Sequence, residues 1–172
     1  MMLKRVKRAN RYRSLPRPVL FDEYGFRSML GYGPAVIFNK FQNFVDDLCN
    51  GVHDLDGTDT LEVYLSNVTP SASADAVIAD LAEIATGSGY TGPVDVLNTG
   101  SETSGTFTVA GTDVVITASG AVAQFRYVVL MNTTPTSPLD PLIGWWDYGS
   151  AVDLASGETF TVDFGASIFT VA

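Results

Sequence analysis

Residues 60–66 read TLEVYLS, and their alternation decides the fold. Leu61, Val63 and Leu65 fall on one side of an extended chain, with Glu62, Tyr64 and Ser66 on the other. A two-residue period of this kind marks a half-buried strand. Downstream the pattern recurs in SGTFTVA (104–110), DVVITA (113–118), QFRYVVLM (124–131), LIGWWDY (142–148), ETFTVDF (158–164) and SIFTVA (167–172), separated by Gly, Ser, Thr, Asn and Asp. Short strands at this spacing predict a mainly β fold, an antiparallel β-sandwich or barrel. No internal repeat is visible, which argues against a solenoid or propeller.

Upstream the period changes. In FNKFQNFVDDLCNGVH (38–53), Phe38, Phe41, Val45, Leu48 and Val52 recur every three or four residues, and Gly51 stands where a helix commonly ends. The spacing predicts a helix over about 38–50, packed by its Phe-rich face, with Cys49 a buried, unreactive thiol beside it. Val77, Ile78, Leu81 and Ala85 predict a second, short helix over about 75–85.

At 172 residues, 46% hydrophobic and 17% charged, the chain has room for one domain with a sizeable core. It contains no apolar run long enough to span a membrane. Its charge is split. Residues 1–40 hold nine basic and two acidic side chains, and residues 41–172 one basic and seventeen acidic, giving +7 and −16 against a total of −9. Seven of the cations crowd the first seventeen positions: Lys4, Arg5, Lys7, Arg8, Arg11, Arg13 and Arg17. A secretion signal would need an apolar stretch next. Here Pro16, Pro18, Asp22 and Glu23 follow. An Arg-rich mitochondrial leader fits the composition but not the early prolines. Without a secretion signal, the glycosylation-type triplets at Asn67 and Asn132 carry little weight. Phe21, Tyr24, Phe26 and Tyr32 add more large apolar surface than a flexible linker normally carries. Residues 1–36 therefore read as an extended basic and aromatic arm, and residues 37–172 as a β-rich body. The arm lies either on a partner or across its own acidic body.

A search for chemistry yields little. His53 is the only histidine and Cys49 the only cysteine, so multi-histidine metal sites and an intrachain disulfide are excluded. The two could share a helical face, but His53 reads as a solvated turn residue. HDLDGTD (53–59) places Asp54, Asp56 and Asp59 around Gly57, yet the glycine and the closing position do not match a calcium loop. The glycines of GYGP and TGSGYTG lack phosphate-loop and dinucleotide spacings. The expectation is no catalytic residue, no metal and no cofactor.

Trp145–Trp146 is the most informative pair. Neighbours on a strand point to opposite faces, so the two indoles cannot share one core. Simple alternation puts Leu142, Gly144, Trp146 and Tyr148 on one face, and Ile143, Trp145 and Asp147 on the other. The second face is covered either by the 38–50 helix or by a partner, and both tryptophans count as candidate partner-binding residues.

FNKFQNFVDDLCNGVHDL (38–55), the run from Asp59 to Gly92 and the block from Phe125 to Phe164, with its GWWDYG, together resemble small structural proteins of tailed-bacteriophage virions. The resemblance covers roughly residues 37–165, and the basic leader departs from it. It implies a non-enzymatic, β-rich subunit present in many copies, foremost a capsid decoration or cement protein, with a tail, neck or fibre component as the alternative. The implied partners are the major capsid protein and further copies of the chain, as a dimer or trimer. The implied place is the capsid exterior, with the host cytoplasm during assembly. On this reading Lys4, Arg5, Lys7, Arg8, Arg11, Arg13, Arg17, Phe21, Tyr24, Phe26, Tyr32, Trp145 and Trp146 bind partners. Nucleic acid, held by the leader through phosphate contacts, ranks below capsid protein.

Overall fold

The structure is a computed structural model that describes residues 2–6 and 36–172. In chain order the elements are β1 (Met2–Val6), β2 (Asn39–Lys40), α1 (Gln42–Cys49), β3 (Leu61–Ser66), β4 (Val94–Asp95), β5 (Thr99–Thr103), β6 (Thr106–Ala110), β7 (Val114–Thr117), β8 (Val122–Asn132), β9 (Leu142–Leu154), β10 (Thr159–Asp163) and β11 (Phe169–Val171). They form a five-stranded sheet of order β2-β9-β8-β3-β4 and two three-stranded sheets, β1-β10-β7 and β11-β6-β5. Every pairing is antiparallel. The mainly β, sandwich-like architecture expected from the alternation is the one found.

Two hydrophobic layers hold the sheets together. The larger joins one face of the five-stranded sheet (Leu61, Val63, Leu65, Val128, Leu130, Trp146) to Val109, Ile116, Phe160 and Val162 of the three-stranded sheets. The smaller covers the opposite face with Phe41, Tyr64, Leu81, Tyr127, Val129, Met131 and Leu142. With both faces buried, β3 and β8 have few wholly exposed positions. Each large side chain fully buried in this way contributes roughly 1.5–3 kcal/mol.

Three expectations need correction. The helix runs only from Gln42 to Cys49, because Asn39 and Lys40 pair as a strand with Trp145 and Gly144. Gly144 permits that approach: a Cβ there would overlap the Phe38 ring and the Asn39 carbonyl. The helix does stop at Asn50, with Gly51 at φ +71°. The 75–85 segment holds a single turn of 3₁₀ helix, Ile78–Asp80, in place of an α-helix. Its backbone is committed elsewhere: Leu142 N–H donates to the Ala76 carbonyl, Ile78 N–H to Asp140 and Ile84 N–H to Leu65. Tertiary pairing overrides the local helical spacing here.

The third correction concerns the tryptophan strand. Met131 pairs with Leu142 and Leu130 with Gly144, so Ile143 is an extra residue on β9. A bulge of this kind shifts the alternation by one position. Ile143 consequently joins Trp146 in the larger layer, and Leu142 joins Trp145 in the smaller.

The N-terminus supplies a strand that the sequence did not suggest. Met2–Val6 pairs with β10 in the register Met2↔Asp163 to Val6↔Thr159, and the Leu3 side chain is fully buried. The segment assigned wholly to an arm therefore starts inside the body. An inward leucine opposite Val162 explains the position, since an exposed edge of β10 would leave apolar surface open to water.

Candidate partner-binding surface

Of the leader's candidate residues, Lys4 and Arg5 lie in β1, opposite Thr161 and Phe160. Lys7, Arg8, Arg11, Arg13, Arg17, Phe21, Tyr24, Phe26 and Tyr32 fall outside the described residues. In sequence, residues 7–35 connect Val6, the last residue of β1, to Val36, which packs on the larger core.

The two tryptophans separate as strand geometry requires. Trp146 is fully buried, 5.1 Å from the Phe38 ring and 5.8 Å from Phe164. It is a core residue and presents no surface to a partner. Trp145 is half-buried on the other face, with its ring 4.6 Å from Phe41. The cover over that face comes from Phe41, Ile78 and Leu81. The helix itself turns Phe44 and Leu48 toward the Trp146 side. Next to the pair, Arg126 forms a fork on Asp147, Nε to Oδ1 at 2.7 Å and an Nη to Oδ2 at 2.8 Å. This contact holds the Asp147 carboxyl below the usual carboxylate range. It also occupies the only cation in residues 41–172.

Two features escaped the sequence. The first is an apolar groove between α1 and β11, lined by Phe38, Phe44, Val45, Leu48, Phe169 and Val171, with a volume of about 420 Å³. It adjoins a second hollow of about 260 Å³ bounded by Leu48, His53, Leu55, Phe107 and Val171. Helical spacing identified the Phe-rich stripe but could not show that β11 lies alongside it.

The second is a buried polar cluster. His53, expected in a solvated turn, is 6% exposed. Its Nδ1 lies 3.0 Å from Asn132 Nδ2, which also donates to Asp59 Oδ2 at 2.6 Å. An amide nitrogen only donates, so Nδ1 accepts and the ring proton sits on Nε2. That Nε2 is buried without a partner. Burial pushes the imidazole below its ordinary pKa, although Asp47 and Asp59 pull the other way. Asp59 further accepts from Asp54 N–H, and Asn98 ties the Asp59 carbonyl to Leu61 N–H. The cluster is structural wiring between the 53–59 loop and the end of β8.

The remaining candidates separate as well. Cys49, expected in the core, is exposed at the helix end, in a different environment from His53. The helix begins four residues later than expected and buries Phe44 and Asp47, while Val45 and Cys49 are exposed. Asp56 caps Thr58 while Asp59 turns inward. Among the described residues no group of three or more His, Cys, Asp or Glu could hold a metal ion. Among them, too, no helix is long and apolar enough to cross a membrane. No family model, curated protein or solved structure matches this chain.

Proposed function

We propose that this chain is a non-enzymatic structural protein of a tailed-phage virion, a capsid decoration or cement subunit that binds major capsid protein through its leader. The observation that carries the reading is the segment 7–35, basic and aromatic, carried between two points of an acidic β body, Val6 in β1 and Val36 on the core. A β body whose sequence includes such a segment suits attachment to a lattice of acidic subunits. Arginine forks pair carboxylates, and Phe or Tyr side chains fill apolar pockets between subunits. The acidic body is repelled by packaged DNA, which favours the capsid exterior. Further copies of the chain, grouped as a dimer or trimer about a lattice axis, are the second class of partner.

The experiment counts copies on purified particles and repeats the count for full-length protein with Lys7, Arg8, Arg11, Arg13 and Arg17 changed to Gln. These substitutions leave β1 intact, which deletion of the whole leader would not. A high copy number in fixed ratio to the major capsid protein, lost in the variant, is the expected result. A few copies per particle would assign the chain to a tail, neck or fibre. Recovery only with DNA, released by modest salt, would favour the nucleic-acid reading.

A further inference from the structure

We infer that the hollow beside His53 is a binding site for a small uncharged molecule with an apolar body and one acceptor oxygen, held by the imidazole Nε2–H. The hollow, about 260 Å³ in volume, is walled by Leu48 of α1, by Leu55, and by Phe107 and Val171, which stand opposed in the β6–β11 pair. Gly100 on β5 lets this wall close: a Cβ there would overlap the Leu55 carbonyl, the Asp56 Cα and the Phe107 ring. From the other side Asp59 and Asn132 pin the loop. His53 completes the lining. Its Nδ1 edge is turned to Asn132, and neither Asn132 nor Asp59 borders the hollow, so the ring meets it with the edge that carries Nε2. Among the described residues that buried Nε2 has no hydrogen-bond partner.

The lining selects the ligand. A buried N–H without an acceptor is costly, so the occupant must bring a lone pair to Nε2. A buried water usually makes about three hydrogen bonds, and the side chains of Leu48, Leu55, Phe107 and Val171 offer none. Apolar walls with a single placed polar group are the usual form of a small-molecule site. Charge narrows the class further. Asp54 and Asp56 border the hollow, and Asp47 and Asp59 act on the same imidazole, so an anionic ligand is repelled. An ammonium group has no lone pair to accept the Nε2 proton. A peptide would set an amide N–H beside each carbonyl, against apolar walls. The oxygen of a ketone, ester or alcohol meets every condition. A cavity of roughly 150 Å³ takes up benzene, so this one accommodates an apolar body of about eight carbons. Leu48 and Val171 also border the α1–β11 groove, and a longer chain would continue along that apolar surface. The inference does not rest on the virion reading.

Nuclear magnetic resonance on the isotope-labelled full-length protein tests it, because a chain with one histidine gives imidazole signals that need no further assignment. The probes are methyl hexyl ketone and octanoate, which carry the same number of carbons and differ in charge. Saturable binding of the ketone is expected, moving the Nε2–H resonance together with the methyl signals of Leu48, Leu55 and Val171. Octanoate should bind at least about tenfold more weakly at neutral pH. His53→Phe keeps an aromatic ring and removes the donor, and should weaken ketone binding about fivefold to tenfold. Val171→Phe narrows the hollow from the opposite wall and should abolish saturation, which keeps the test decisive if the His53 variant folds poorly. An Nε2–H signal that the ketone leaves unmoved would overturn the inference. So would contacts from that proton to water alone, octanoate binding as tightly as the ketone, or undiminished ketone binding in Val171→Phe.

Discussion

Asn132 Nδ2 donates to Asp59 Oδ2 at 2.6 Å, joining the last residue of β8 to the loop that precedes β3. Asn132 is fully buried and Asp59 nearly so. Asn132 Oδ1, the other end of the same side-chain amide, accepts from Thr134 N–H at 3.1 Å. Replacing the amide by a methyl leaves a buried carboxylate and a ring nitrogen short of a donor. Asn132→Ala is expected to lower the unfolding free energy by about 2–3 kcal/mol, measured by urea denaturation of the full chain. A loss within about 0.5 kcal/mol, typical of surface sites, would mean that water replaces the amide.

His53 gives the protein a pH dependence with a definite sign. Burial lowers its folded pKa against the ordinary value of 6.5, with Asp47 and Asp59 opposing. Between the lowered folded value and 6.5 the unfolded chain binds the extra proton and the folded chain does not. Stability therefore rises with pH through that window and is lost as pH falls below 6.5. Protonation would also set an Nδ1–H against the Asn132 amide, two donors facing each other. Because the chain has no other histidine, His53→Gln should flatten the urea midpoint between pH 7.5 and pH 5.5. An unchanged slope in that variant would assign the effect to carboxylates.

Gly144 offers a steric test of the β2–β9 contact. The Phe38 ring and the Asn39 carbonyl occupy the space that a Cβ would need, and the obstructing carbonyl is backbone that cannot rotate away. Gly144→Ala is expected to cost about 1–3 kcal/mol as overpacking, with a lower Tm and a changed tryptophan emission as Phe38 leaves Trp146. Thermal unfolding indistinguishable from that of the parent would show that β2 yields freely.

The alternation of TLEVYLS and its successors made the β class legible because the side facing the larger core is regularly apolar, although Tyr64 and Ser66 on the other side of β3, expected half-open, are buried as well. Trp145 and Trp146 were legible as a pair on opposite faces for the same reason. What covers them was not, since a bulge at Ile143 and the bridge between Val77 and Pro141 are long-range events. His53 reads as polar turn material by its neighbours, yet its burial depends on Asn132, seventy-nine positions away. Leu3 looked like part of a charged leader because a five-residue stretch that itself holds Lys4 and Arg5 carries too little pattern to announce a strand. In each case the missing information was a partner distant in sequence.

Glu62 supplies a stabilising substitution. It stands directly across from Asp95 in the β3–β4 pair, and Asp95 is fixed by its bond from Leu97 N–H at 2.7 Å. Like charges opposed on neighbouring strands repel. Partial burial, then Asp95 and then Asp140, raise the Glu62 pKa above its ordinary value. A raised carboxyl pKa means that the folded state binds more protons in the window just above the ordinary value. Stability then falls as pH rises through that window, and the penalty is complete at neutral pH. Glu62→Gln removes the charge and keeps the shape. The variant should unfold at a higher urea concentration than the parent at pH 7, and the advantage should shrink at pH 4, where the parent carboxyl is itself protonated. Equal midpoints at pH 7 would mean that solvent already screens the Glu62–Asp95 pair.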